Sequence, residues 1–295
     1  MVQTGFGKWV VWMAVVAAGV TTLVARAEEH APVPSGPAPI LVTVREIPKP
    51  GEEAAHARLE AQYAEVLAAG KGSQYYVGMG AITGAQQTVF LSGYSSLEEM
   101  SEVHDYDETM LGEKLSKLDK DHSGTLAGAD TAVWRLRPRL SNPDPVNLGK
   151  MRFMELIHIH VKLGHSAEFA DVIQHVQEGW MKADPDFHYL VYQQTFGEAK
   201  DDSYLVVIAV KSLGDLDKHH ALVAKYQRGL GEEAQKHMLA FEREGYNSTE
   251  SNLFVFTPSM SRLPESWTKE DADFWSPKAA TAVAAKKVAV AKPAK

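Results

Sequence analysis

Apolar and polar positions alternate along the chain in a pattern that occurs twice. Between residues 40 and 141, short stretches of β-type alternation flank stretches whose apolar residues recur at helical spacing. The same succession returns between residues 152 and 261. The first helical stripe consists of Ala55, Leu59, Tyr63, Val66 and Leu67. Each copy predicts the element order β-α-β-β-α-β, so the chain contains a duplicated structural unit.

Characteristic residues occur at matching positions in the two copies. The run Val42 to Arg45 matches Ile157 to His160, and a glycine precedes the next helix each time, at Gly51 and Gly164. Such a unit typically forms a four-stranded antiparallel sheet with both helices on one face. The helix-free face then needs cover, and the sheet of the other copy supplies it most simply. We therefore predict an α+β fold in which two ferredoxin-like units in tandem pack their antiparallel sheets face to face as an α/β barrel.

This element order, repeated across residues 40–261, resembles the dimeric α/β barrel superfamily. That superfamily includes cofactor-free monooxygenases, haem-degrading enzymes, chlorite dismutases and dye-decolourising peroxidases. The resemblance therefore implies an oxygenase or peroxidase-like activity, with haem as a candidate cofactor, and it leaves a homo-oligomer open. The sequence departs from two of these groups. It lacks the Gly-x-x-Asp-Gly motif of the peroxidases, and no first strand carries the asparagine of the haem-degrading members.

Strand parity predicts which side chains face the interior. In the strand near residues 152–161, His158 and His160 point to the face opposite Ile157, which we expect to pack on the helices. The two imidazoles then face the interior, and Arg45 does so at the matching place in the first copy. Two histidines two residues apart also suit metal ligation, but no third ligand stands at motif spacing.

Arginines and further polar residues complete the candidate binding site. Arg135 and Arg137 leave their strand opposite Trp134, and the first and fourth strands are neighbours in this fold, so we expect both to converge with Arg45. Guanidinium groups match carboxylates bidentately, which indicates a small anionic ligand. In the alternative, these arginines reach solvent and pair with surface acids. The predicted ligand-binding residues are Arg45, Arg135, Arg137, His158, His160, His188, Tyr192 and Gln194.

The segment Asp119–Asp130 resembles an EF-hand calcium loop. It has oxygen-bearing side chains at loop positions 1, 3, 5, 7 and 12 and glycine at the sixth position. Two features depart from the motif, because the last position is aspartate and a strand follows where a helix is expected. The alternative is a helix C-terminus followed by a polar turn with glycine at a left-handed position. The predicted calcium ligands are Asp119, Asp121, Ser123, Thr125 and Asp130.

Composition limits the partners. The 295 residues carry a formal net charge of −8 and no cysteine. The acidic balance argues against nucleic acid as a partner. The absence of cysteine excludes disulfides and a cysteine nucleophile.

The ends of the chain have compositions of their own. Residues 1–27 predict a signal peptide, because a basic residue, an apolar run and a small-x-small cleavage site follow one another. We therefore expect export to the periplasm or beyond the cell, with no stable membrane span after cleavage. The other predicted segments are linkers at residues 28–39 and 142–151, a C-terminal extension at 262–277 and a disordered basic tail at 278–295.

Three functional hypotheses remain. The first is an exported protein that binds a small anionic or aromatic-bearing molecule in a cavity between the sheets. The second is a haem-dependent or cofactor-free oxygenase or peroxidase-like enzyme. The third is a structural or interaction protein with a packed interior. The fold alone does not choose between these hypotheses. We favour the first, non-enzymatic hypothesis because the sequence predicts arginines and histidines that line the cavity.

Overall fold

Eight antiparallel strands form one closed barrel. The computed structural model describes residues 36–70, 72–142, 148–198 and 200–275. The predicted signal peptide, most of the first linker and the basic tail lie outside the described residues. Among the helices in the described ranges, none has the length and apolarity needed to cross a membrane.

Each unit contributes four strands. The strands of the first unit are β1 (Ile40–Pro48), β2 (Tyr76–Ala81), β3 (Thr88–Tyr94) and β4 (Leu126–Leu136). Those of the second unit are β5 (Phe153–Val161), β6 (Leu190–Phe196), β7 (Asp202–Val210) and β8 (Tyr246–Phe256). The order around the barrel is β1-β3-β2-β8-β5-β7-β6-β4. Each unit therefore keeps its four strands together, and the seams between β2 and β8 and between β4 and β6 join the units, as the duplication predicts.

Most helices cover the outside of the barrel, namely α1 (Glu53–Ala69), α2 (Leu97–Ser123), α3 (Ser166–Ala183), α4 (Leu213–Ala221), α5 (Val223–Leu230) and α6 (Glu232–Glu244). The two short helices α7 (Glu265–Thr268) and α8 (Ala272–Trp275) belong to the C-terminal extension. Apolar residues recur at helical spacing from Tyr226 through Leu230, Ala234 and Met238 to Phe241 and predict one continuous helix. The structure divides this stretch into two helices. Gly231 has a φ of 78°, which lies in the left-handed region and ends α5 before α6 begins.

The barrel interior is an apolar core to which every strand contributes. Its buried strand residues are Leu41, Val77, Met79, Val89, Leu91, Ala132, Trp134, Met154, Leu156, Tyr192, Leu205, Val207, Phe254 and Phe256. Alternate residues of the same strands pack against the helices, as Val161 and Tyr204 do with Phe169 of α3. Burying a large apolar side chain contributes roughly 1.5–3 kcal/mol. These interior side chains fill much of the space that the sequence predicts as a cavity.

The C-terminal extension closes one end of the barrel. Trp275 joins the interior core, and its indole Nε1 donates to the carbonyl of Gly149 at 2.7 Å. The guanidinium of Arg152, just before β5, lies 3.8 Å from the ring centroid of Phe274 and forms an ion pair with Asp271. The extension thus plugs the end where β5 begins. The inward-facing polar residues Arg45, His158 and His160 lie toward the other end, which we call the polar end.

Candidate ligand-binding site at the polar end of the barrel

Arg45, His158 and His160 occupy inward-facing positions near the polar end. Arg45 follows Leu41 on β1 at even spacing, and the histidines follow Leu156 on β5, so all three share the face of the interior core. The orientation that strand parity predicts for these residues is therefore the one the structure has. Arg45 belongs to the first unit and the histidines to the second, so the closed barrel brings the two copies together at one site.

Trp134 connects the copies directly. Its indole Nε1 donates to Oγ1 of Thr43 on the neighbouring strand at 2.9 Å. The edge of its ring meets His158 across the barrel, with a centroid distance of 5.4 Å and an interplanar angle of 78°. His158 also lies against His160 at a centroid distance of 4.1 Å. These contacts fix the orientation of the His158 ring.

His158 is held neutral by its surroundings. Burial and the neighbouring His160 lower the pKa of His158 to about 4, because both disfavour the imidazolium form. Its Nε2 is buried and has no hydrogen-bond partner among the described residues. A buried polar atom left unpaired costs about 1–3 kcal/mol. A ligand that forms a hydrogen bond with this nitrogen would recover that cost.

His160 is oriented by a carboxylate. Its Nδ1 lies 3.0 Å from Oδ1 of Asp201, which also accepts from the hydroxyl of Ser203 at 3.0 Å. Asn247 donates to the other Asp201 oxygen at 3.2 Å. Partial burial acts to raise the pKa of Asp201, but the hydrogen bonds from His160, Asn247 and Ser203 outweigh it and lower that pKa. Asp201 is therefore ionised and favours a proton on Nδ1 of His160.

Arg45 supplies the positive charge of the site. Its Nε donates to the side-chain oxygen of buried Gln87. Arg45 forms no ion pair within the described part of the chain, and Asp130 lies opposite it on β4. Burial raises the pKa of Asp130, Glu198 raises it further, and Arg45 opposes both effects. These two acids disfavour a ligand that carries several negative charges.

The predicted inward orientation of Arg135 and Arg137 is wrong. Both side chains are exposed, Arg135 on the outer face of β4 and Arg137 just beyond the end of that strand, where its Nη1 donates to Oε1 of Gln193 at 2.8 Å. The prediction places Trp134 on the helix side of its strand, whereas the structure places Trp134 in the interior core. Alternation then turns both neighbouring arginines outward, which is the alternative that the sequence leaves open.

The three remaining predicted residues lie at different depths. Tyr192 is buried in the interior core and donates to the carbonyl of Ala38 at 3.1 Å, and burial raises the pKa of its phenol. Gln194 is half-buried and opposite Trp134, toward the polar end. His188 precedes β6, four residues from Tyr192, which corresponds to roughly 13 Å along a strand. It is therefore separated from His158 along the barrel axis.

The predicted calcium loop is not a loop in the structure. Asp119, Asp121 and Ser123 belong to the last turns of α2, where Asp119 accepts a hydrogen bond from the hydroxyl of Tyr63. The hydroxyl of Thr125 donates to the carbonyl of His122 at 2.8 Å, and Asp130 lies on β4 opposite Arg45. The segment divides between α2, a short turn and β4, so the five oxygens do not encircle a common point as an EF-hand requires. The helix C-terminus and turn of the alternative interpretation are present, but Gly124 has a right-handed φ of −65°, so the left-handed glycine of that interpretation is wrong.

Several residues of the site do not follow from the sequence pattern. Strand parity assigns Trp134 to the wrong face, and the predicted site does not include Gln87, Asp201 or Ser203. A sequence signal exists only for Asp201 and Ser203, which flank the start of β7 and so meet the end of β5 in an antiparallel pair. Gln87 is ordinary by composition and becomes a site residue through the register of β1 and β3.

Solved structures resemble the barrel at low sequence identity. An anthrone oxidase-like protein superposes with a TM-score of 0.51 at 9% identity, and the alignment covers 76% of this chain and 92% of that one. A monooxygenase-like protein from Fusobacterium nucleatum gives 0.49 at 13% identity, with 75% and 93% covered. Chlorite dismutase from Candidatus Nitrospira defluvii in complex with imidazole gives 0.45 at 10%, with 79% and 95% covered. These likenesses concern the fold alone. No family model and no curated protein matches the sequence.

Haem is the cofactor that the resemblance implies, and the residues near His158 meet only one of the two requirements for binding it. A haem protein supplies an axial ligand and a flat space beside it. The imidazole nitrogen of His158 provides a donor of the right chemistry. Its ring, however, is packed between Trp134 and His160, and the apolar core fills the interior on the plug side. The described residues, as they are packed, leave no flat space for a macrocycle beside His158.

Proposed function

We propose that the protein binds a small molecule with a single anionic group at the polar end of the barrel. The buried, unpaired Nε2 of His158 near the guanidinium of Arg45 is the observation that supports this proposal. Arg45 binds the anionic group, and neutral His158 forms a hydrogen bond with a second polar atom of the ligand. The ring of Trp134 offers an apolar surface beside them. The same proposal includes export of the protein, supported by the composition of residues 1–27.

An oxygenase-type enzyme is the second candidate, and neutral His158 is the observation in its favour. A neutral imidazole can accept a proton from a substrate. The most effective general base has a pKa near the operating pH, and His158 has a pKa of about 4. At neutral pH such an imidazole is a weak base and a good hydrogen-bonding group. We therefore favour binding over proton abstraction.

Arg45 faces the barrel interior and Arg135 faces outward, so replacing each in turn tests whether the ligand binds inside the barrel. We expect Arg45→Ala to weaken binding of a monocarboxylate about 10- to 100-fold, because a charge-assisted hydrogen bond contributes about 1.5–3 kcal/mol. Arg135→Ala removes the same charge from the outer face and should leave the affinity unchanged. Native mass spectrometry of the purified protein identifies a retained ligand. Thermal shifts with a panel of aliphatic and aromatic monocarboxylates then rank the affinities of the three proteins.

Two results would contradict the proposal. Equal loss of binding in the Arg45 and Arg135 variants would mean that overall charge, and not the polar end, attracts the ligand. Absence of any shift across the panel, together with a haem absorption band in the purified protein, would favour the enzyme.

A further inference from the structure

Four ionisable side chains meet inside the first unit, away from the barrel interior. Glu46 lies on the helix-facing side of β1, His56 and Glu60 lie one turn apart on α1, and His122 lies in the last turn of α2. All four are nine-tenths or more buried, with exposures of 3%, 1%, 6% and 0%. Three separate elements thus direct two imidazoles and two carboxylates toward one point between the sheet and the helices.

The donor atoms are close to one another. Nε2 of His56 lies 2.7 Å from Oε2 of Glu46 and 3.9 Å from Oε1 of Glu60. Nε2 of His122 lies 3.2 Å from the same Glu46 oxygen and contacts the Glu60 oxygen directly. One donor atom from each residue falls within 4.8 Å of all the others. In a tetrahedral zinc site with bonds of about 2.0–2.2 Å, neighbouring donors stand about 3.3–3.6 Å apart. The donor separations in this cluster straddle that value.

The charges of the cluster balance with a divalent cation. Two carboxylates and two neutral imidazoles carry a charge of −2, which one divalent ion neutralises. Without an ion, the cluster needs two additional protons to become neutral, and it then forms two buried ion pairs. Removing an ion pair from water costs several kcal/mol per ion, so such clusters are often less stable than apolar packing of the same volume. A cation removes that disadvantage.

The second copy of the unit shows what the fold itself requires at this place. The positions that match Glu46, His56 and Glu60 are Val161, Phe169 and Ile173. Phe241, in the last turns of α6, packs against Phe169 at a centroid distance of 6.0 Å. The same architecture is therefore stabilised by apolar packing in one copy and carries the polar cluster in the other. The fold does not need the cluster, so its four polar residues point to a ligand.

We propose that Glu46, His56, Glu60 and His122 bind one divalent first-row transition-metal ion, of which zinc fits the donor set and geometry best. Imidazole nitrogen and carboxylate oxygen are both zinc ligands, and four protein donors fill a tetrahedral shell. A site with four protein ligands and no access to solvent is typical of structural zinc. The ion would tie β1 to both helices of the first unit.

Two neighbouring residues support the site from outside. The ring of Tyr63 meets His122 edge-on at a centroid distance of 5.5 Å, and its hydroxyl donates to Asp119. Burial, the hydrogen bond to Asp119 and the negative charges of Glu60 and Glu46 raise the pKa of Tyr63. Residues around metal ligands commonly fix ring orientation in this way. Asp119 thus belongs to the surroundings of this cluster.

Metal analysis of the full-length protein, purified without chelator and with zinc in the growth medium, tests the proposal. We expect about one zinc per chain. Removing it with a strong chelator should lower the melting temperature, and adding zinc should restore it, since an ion that binds only the folded state stabilises it. Zinc far below stoichiometric amounts, with a melting temperature that does not respond to chelator or zinc, would mean that the four residues form ion pairs only.

Matched variants locate the ion. Glu60→Gln and His122→Gln should each lower bound zinc at least tenfold. The surface group Asp171, His175 and His237 provides the control, because its atoms are also within ligation distance but lie exposed or half-exposed. The double variant His175→Ala and His237→Ala should keep the zinc. Loss of zinc in this control alone would overturn the assignment. If the buried variants do not fold, the reversible zinc response of the natural protein still decides between ion binding and ion pairing.

Discussion

Burial sets the protonation of individual side chains, and His158 is the clearest case. Its pKa of about 4 in the folded protein lies below the ordinary value of 6.5. Below pH 6.5 the unfolded chain takes up a proton that the folded protein does not. The free energy of unfolding therefore falls as the pH drops from 6.5 toward 4, and this contribution is constant above 6.5. Allowing for solvent screening of a partly exposed ring, we expect a loss of about 1–2 kcal/mol.

The variant His158→Gln tests this pH dependence. It should be less sensitive to acid than the natural protein, because glutamine does not titrate. Urea unfolding at pH 7 and pH 4.5 measures the difference for both proteins. His165→Gln is the control, since His165 lies on the surface beside Glu168. Identical acid sensitivity in the natural protein and the His158 variant would contradict the low pKa.

At the residue scale, strand alternation assigns some side chains to the correct face of their strand and others to the wrong face, and the cause is the same in each case. Both faces of these strands are apolar, so alternation separates two sets of residues without telling which set faces the helices. The assignment succeeds for His158 and fails for Trp134, and with it for Arg135. On α1 the predicted stripe includes Leu67, which is buried, and Leu59 and Tyr63, which are half-buried, whereas the buried face also contains His56 and Glu60. The prediction turns polar residues outward by default, which hides the buried cluster.

At the scale of elements, the C-terminal extension is the part that sequence periodicity could not place. It has no repeat partner and no stripe, so only its aromatic residues indicate that it docks on the barrel. The structure shows Trp275 inside the core, 6.1 Å from Phe256 between ring centroids. The break at Gly231 and the continuation of α2 through Ser123 are further examples, because the spacing of apolar residues shows neither a left-handed glycine nor a helix end made of polar residues.

Removing the plug should destabilise the whole barrel. We expect Trp275→Ala to lower the free energy of unfolding by about 3–5 kcal/mol, because it leaves a cavity in the core and removes the hydrogen bond to Gly149. Leu239→Ala, at a position that is 52% exposed, should change it by less than about 0.5 kcal/mol. Urea unfolding monitored by circular dichroism measures both. If Trp275→Ala is as stable as the control, the extension does not plug the barrel.

At the scale of the whole molecule, the duplication allows the barrel to be predicted, and divergence of the copies creates the sites. The two seams place all eight strands around one interior, so the fold follows from element order and repetition. The sites follow from differences between matching positions. Arg45 in one copy faces the histidine pair of the other, and the buried cluster of the first unit has an apolar counterpart in the second. Such differences are visible in the sequence only after the register is known.

The central claim is that Arg45 of the first unit and His158 of the second share one interior site. Nitrogen NMR of the histidine side chains in the full-length protein measures it directly, in the natural protein and in the variants Arg45→Met and Arg135→Met. We predict that His158 titrates near pH 4, that its pKa rises when Arg45 is replaced, and that it is unchanged when Arg135 is replaced, since only the first of these two arginines adds to burial and His160 in opposing protonation of His158. A His158 pKa near the ordinary value of 6.5, or equal shifts in both variants, would contradict the account.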